Sequence, residues 1–156
     1  MNLWIDIARE KLNEAIQLCD VLTINDEEAR MLSGEFSLVK AAAKILDMGP
    51  SHLIIKKGEH GALLFDRNNV FFGPALPLEK VVDPTGAGDC FAGGFLGHLA
   101  KTGDLSFDNM KRALIYGASM ASFVVEDFGN ARIKKVQKSE ITERVNRFVD
   151  LATFKM

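Results

Sequence analysis

The sequence predicts an α/β domain with a largely parallel central sheet and flanking helices. Three observations lead there. Apolar residues at helical spacing alternate with short β-branched runs through the first half. The second half reads as helix almost throughout. The loops that leave the strands are rich in glycine and charge, as ligand-binding loops at the carboxyl ends of parallel strands are.

Taken in order, Trp4, Ile5, Ala8, Leu12, Ala15, Ile16 and Cys19 recur at helical spacing and predict one helix, which feeds the strand "DVLTIN". Asn25 opens "NDEEARMLSG", with acids in the first turn and Gly34 as the C-terminal stop. Ser37 to Met48 form another helix ending at "GP", and "HLIIKK" is a buried strand bounded by Gly58. "GALLF" and "NVFF" flank Asp66 to Asn69 as a hairpin, followed through Gly73, Pro74 and Pro77 by a last strand at Lys80 to Val82. Helices then run from Gly88 to Lys101, Phe107 to about Glu126, and Ser139 to Phe154. No repeat, low-complexity tract or linker divides the chain, so residues 1–156 read as one body.

Composition excludes several classes. The chain has 156 residues, 47% hydrophobic and 26% charged, which is enough to bury a real core. Nineteen basic against twenty-one acidic residues give a net charge of −2, without the basic surplus that nucleic-acid binding draws on. No run approaches the roughly 20 apolar residues of a membrane span, and the N-terminus lacks the apolar core of a secretory signal. Cys19 and Cys90 lie in apolar patterns without CxxC spacing, which suits a reducing compartment. The expectation is a cytoplasmic protein without membrane or nucleic-acid partners.

Three loops carry the chemistry. In "DPTGAGD" the chain leaves a strand, turns through Asp83 and Pro84, and enters a helix near Gly88 and Asp89. Gly86, Ala87 and Gly88 can present successive backbone N–H groups at a helix start, where the amides are unpaired and the dipole is positive; that is an anion cradle. Gly93 and Gly94 let the same helix press on a neighbouring backbone. A carboxylate beside a bound phosphate needs a task, and for Asp89 that task is to accept the proton of an attacking hydroxyl. A plain glycine turn capped by Asp83 or Asp89 also fits the string. Neither GxxxxGK[ST] nor GxGxxG is present. "YGASMA" approximates a nucleophile elbow, but Ser119 lies inside an apolar helical repeat instead of a strand-to-helix turn. In "INDEEA", Asn25 and Glu28 have the spacing of a capping box and equally that of two oxygen groups able to hold magnesium through its water shell. "KKGEHG" suits a tight turn, or a backbone lying along a nucleotide with Lys56 or Lys57 beside it. His52, His60 and His98 are scattered without metal-ligand spacing.

Together "NDEE", "KKGEHG" and above all "DPTGAGDCFAGGF", with "YGASMASFVVEDFG" after them, resemble the ribokinase-like (PfkB-type) carbohydrate kinases, from about Asp20 to about Ile133. The resemblance implies transfer of the γ-phosphoryl group of ATP to an alcohol of a sugar or nucleoside. It makes Asp89 the catalytic base and the amides of Gly86, Ala87, Gly88 and Asp89 the anion hole. Asn25 and Glu28 would serve Mg2+ through water, and Lys57, Gly58 and Gly61 would lie along the nucleotide, with Gly117 and Met120 near the adenine. Asp83 and the backbone of Thr85 would correspond to a monovalent-cation (K+) site. Family members are roughly twice as long, and their first half supplies the sugar-binding residues and lid. The chain therefore resembles the C-terminal, nucleotide-side half, starting at an internal methionine or in a shortened reading frame. Such a half is expected to pair with a second copy through the surface left uncovered. A non-catalytic nucleotide-binding module is the alternative.

Overall fold

The computed structural model describes residues 2–154, which pack as two compact units. One comprises residues 2–58 with Ala62–Phe72, and the other Glu59–Gly61 with residues 73–154.

The first unit runs α1 (Asn2–Ile7), α2 (Arg9–Gln17), β1 (Val21–Asn25), α3 (Asp26–Ser33), α4 (Leu38–Asp47), β2 (His52–Lys56) and β3 (Ala62–Phe65), and reaches β4 (Val70–Gly73). The four strands stand in the order β1-β2-β3-β4. β1 and β2 are parallel, with Asn25 opposite Lys56, whereas β2 and β3 are antiparallel. The expected parallel pairing is thus met by the crossover through α3 and α4, and the antiparallel pairing of β3 with β2 makes the sheet mixed. Leu22, Ile24, Leu53, Ile55 and Phe65 share one buried cluster with Ala41, Ile45 and Leu46 of α4. The alternate residues Ile54 and Leu64, partners across β2 and β3, are fully buried too, so the middle strands bury both faces.

Local chemistry explains the boundaries. Asn25 caps α3 and Gly34 ends it at φ 73°, a left-handed conformation that glycine adopts at little cost. The single helix expected over 4–19 is instead broken at Ala8 (φ −143°, ψ 40°). Ala8 still donates to Trp4 O and accepts from Leu12 N, so few hydrogen bonds are lost. The break sets the Arg9 guanidinium against the carbonyls of Met31 and Leu32 at the end of α3, where a cation is favoured.

The second unit holds α5 (Ala87–Thr102), α6 (Phe107–Val124) and α7 (Lys138–Ala152). Phe91, Phe95 and Leu99 of α5, Met110, Leu114 and Phe123 of α6, and Phe148 of α7 form its interior. The strand expected at Lys80 to Val82 does not form. Val82 N–H donates instead to Val125 O (2.8 Å), just beyond the end of α6, so the segment is anchored by a helix terminus and joins no sheet ladder. Among the described residues, no helix is long and apolar enough to cross a membrane.

Candidate active site

In the second unit, the site is built on the start of α5. Gly86 is its N-cap, at φ 82°, and no side chain caps this 16-residue helix. Asp83 bends back in an Asx turn, its Oδ1 accepting from Thr85 N–H at 2.9 Å, so neither it nor Asp89 takes the capping position. Hydrogen bonds from Thr85, by both its N–H and its side chain, and from the Gly129 N–H hold the Asp83 carboxyl below the usual carboxylate range. Ala87 N–H is engaged by Pro84 O (3.1 Å), which withdraws one of the four expected cradle donors. The N–H groups of Gly86, Gly88 and Asp89 find no acceptor among the described residues. Asp89 stands exposed in the first turn, one residue past Gly88. Burial, and then the charge of Asp89, push the adjacent Cys90 thiol up.

The glycines that follow α5's start divide by role. A Cβ on Gly94 would fall 2.9 Å from Tyr116 O and 3.0 Å from Gly117 Cα, and one on Gly117 would fall 2.7 Å from Phe91 O. These two glycines let α5 and α6 cross in near backbone contact. Gly93 meets nothing within 4 Å, so the close approach expected of it belongs to Gly94 alone. Gly117 is buried in this crossing, and Met120 is half-buried with its Cγ over Gly94. Ser119 is fully buried and donates to Ile115 O within the helix (2.8 Å).

In the first unit, Asn25 and Glu28 form a complete capping box. Asn25 Oδ1 accepts Glu28 N–H at 2.7 Å, and Glu28 Oε2 accepts Asn25 N–H at 2.9 Å. Glu28 is only 9% exposed. Burial raises its pKa, but hydrogen bonding, first of all from the Asn25 N–H, together with nearby positive charge holds it below the ordinary value. Parallel pairing of β1 with β2 is what brings Lys56 to Asn25, and half-buried Lys57 and exposed Gly58 follow directly. Gly58 (φ 57°) opens a single 3-10 turn. Gly61, assigned to the second unit, has φ 82°, and a Cβ there would strike the Gly73 carbonyl.

Sequence comparison decides what this glycine-opened helix belongs to: residues 2–135 match the pattern of the pfkB family carbohydrate kinases. The chain belongs to the pfkB family. It is 44% identical over 91 residues to a cytidine kinase of Thermococcus kodakarensis (56% of this chain, 32% of that protein). It is 31% identical over 122 residues to a nucleoside kinase of Methanothermobacter thermautotrophicus (78% and 37%). Among solved structures, a ribokinase from Thermotoga maritima matches with a TM-score of 0.73 and 32% identity, covering 86% of this chain and 44% of that one. An Escherichia coli putative ribokinase II in complex with ATP and Mg2+ matches with 0.78 and 28%, covering 94% and 46%. This pfkB chain thus matches ribokinase-like folds over most of its length, and it spans about a third of the curated relatives it matches and under half of the solved ones.

One constellation in the pfkB chain escapes sequence reasoning altogether. Glu126, Arg132, Glu140 and Arg144 form a connected ion network around the Phe123 ring. Its members come from three segments with no common spacing, so no local pattern announces them.

Proposed function

We propose that this chain is the nucleotide- and phosphate-side half of an ATP-dependent kinase that phosphorylates an alcohol of a sugar or nucleoside. The single observation that carries the proposal is the uncapped start of α5. A long helix with a left-handed glycine at its N-cap leaves amides of Gly86, Gly88 and Asp89 without acceptors and sets a carboxylate beside them. Partial positive charge at such a terminus suits phosphoryl oxygens. When bound, ATP supplies the transferable γ-phosphoryl group. The amides of Gly86, Gly88 and Asp89 then donate to the oxygens on which charge builds, and Ala87 joins them if its N–H leaves Pro84. Asp89 accepts the proton of the acceptor hydroxyl as its oxygen bonds to phosphorus and the bond to the departing ADP breaks.

The donor set also fits the ions. Magnesium keeps much of its water shell and is commonly held by one or two carboxylates with substrate phosphates. Glu28, ionised and fixed by the capping box, suits that water-mediated role with Asn25. Asp83 and the backbone of Thr85 are assigned to K+, and Lys57, Gly58, Gly61, Gly117 and Met120 to the nucleotide. Free thiols at Cys19 and Cys90 suit a cytoplasmic setting. Association with a second copy is supported by the edge position of β1 and by exposed Leu3, Trp4 and Ile7 of α1.

The test uses the protein with both halves of the kinase fold. Asp89→Asn is expected to lower phosphoryl transfer by at least on the order of 10²-fold with ATP affinity little changed. Gly88→Val is expected to weaken ATP binding itself. Near-wild-type turnover by Asp89→Asn removes that residue from the mechanism.

A further inference from the structure

The ion network ends where the phosphate cradle begins. Val125 is the C-cap of α6, and its carbonyl accepts the N–H groups of Val82 (2.8 Å) and Asp83 (3.4 Å). Gly129, at φ 56°, turns its N–H toward the Asp83 carboxylate and adds to the lowering of that carboxyl's pKa. The chain entering α5 is therefore braced twice by the segment that leaves α6.

That segment is itself pinned. Glu126 follows the carbonyl end of α6, where the helix dipole disfavours a carboxylate. Two guanidiniums offset this: Arg132 Nε donates to Oε2 (3.3 Å) and Arg144 Nη2 to Oε1 (2.8 Å). Arg144 is 8% exposed, gives Nη1 to Ser122 Oγ (2.9 Å) and lies 3.9 Å from the centroid of Phe123. Arg132 stacks on the same ring at 5.1 Å and reaches Glu140 Oε1 with Nη2 at 2.5 Å. Little-exposed ion pairs give uncertain net stability because desolvation offsets attraction, yet they fix geometry through directed hydrogen bonds. Here the geometry fixed is that of the Val125 carbonyl.

We propose that Arg132 and Arg144, acting through Glu126, are positioning residues for the phosphate cradle at the start of α5. The path is continuous: guanidinium to Glu126, Val125 carbonyl to the Val82 and Asp83 amides, Asp83 carboxylate to Thr85 N–H, and then Gly86. The inference rests on the kinase reading for the identity of the anion, though not for the path.

In the protein with both halves of the kinase fold, the experiment compares wild type with Glu126→Gln, which keeps size and removes charge, and with Arg132→Met, at the more exposed arginine. Amide resonances of Gly86, Gly88 and Asp89 are recorded without ligand, and dissociation constants are measured for ATP and for adenosine. Both variants are expected to move the cradle resonances and to weaken ATP binding on the order of tenfold, about 1.4 kcal/mol, while adenosine affinity holds. A role in stability alone would lower the melting temperature without moving those resonances selectively. Folded variants whose cradle resonances stay in place overturn the proposal, as do moved resonances with unchanged ATP affinity. If the two-halved wild-type protein fails to bind ATP, the kinase reading falls, and the resonances alone then decide the positioning claim.

Discussion

Adjacent glycines in α5 should respond to the same substitution with opposite signs. Alanine in place of a helical glycine contributes about 0.5–1 kcal/mol through the smaller conformational entropy of the unfolded chain. At Gly93 nothing lies within 4 Å of the added methyl, so the whole gain should appear. At Gly94 the methyl would stand 2.7 Å from Met120 Cγ, 2.9 Å from Tyr116 O and 3.0 Å from Gly117 Cα. Met120 can rotate away, but the other two contacts are backbone, so α5 and α6 must separate. Overpacking of this kind costs about 1–3 kcal/mol, which leaves a net loss of up to about 2.5 kcal/mol after the entropic gain. For a chain of this size, 1 kcal/mol moves the melting temperature by about 2–4 °C. Gly93→Ala should therefore melt about 1–4 °C above wild type and Gly94→Ala up to about 10 °C below it, followed by far-UV circular dichroism. Equal melting temperatures for the two variants would refute the close crossing of α5 and α6.

Three further outcomes are expected. Glu28→Gln keeps an acceptor for Asn25 N–H, so the melting temperature should hold while the magnesium concentration needed for turnover in the two-halved protein rises; a lowered melting temperature with unchanged magnesium dependence would leave Glu28 as a cap alone. Burial raises the pKa of Asp66, but hydrogen bonds from the Asn69 side chain and the N–H groups of Asn68 and Asn69 outweigh it and hold the carboxyl below the ordinary value. Its contribution is thus complete above about pH 4 and lost as pH falls through the folded value, so the melting-temperature gap between wild type and Asp66→Asn should shrink below pH 4, and a constant gap would contradict this. Gly61→Ala should cost at least about 2 kcal/mol, from left-handed strain plus collision with Gly73 and Pro74, whereas Gly34→Ala, with the same handedness and open space, should cost about 1 kcal/mol; urea titration of both decides.

Features set by neighbours along the chain were legible in the sequence. Asn25, Glu28 and Gly34 announce both ends of α3, and Asp66 with two asparagines announces the hairpin turn, because caps and turns are short-range chemistry. The glycines before Asp89 likewise marked the start of α5. What stayed hidden depends on tertiary partners. Alanine is the best helix former, so nothing local signals the break at Ala8, which places Arg9 on α3. Val81 and Val82 read as strand, but the bond that Val82 makes goes to a helix end. Which of Gly93 and Gly94 faces α6 follows from the rotation of α5, and Glu126 meets Arg144 only because α7 returns to α6.

The interruption of the first unit by residues 59–61 has a bearing on how the chain can be divided. The polypeptide passes between the units at 58/59, at 61/62 and again at 72/73. No single scission yields two intact pieces: a cut in 59–61 strands β3 and β4 with the wrong fragment, and one after Phe72 leaves Gly61 apart from Gly73 and Pro74, whose backbone it abuts. Split-protein complementation at either point should therefore recover folded protein only when both fragments are present together from the denatured state.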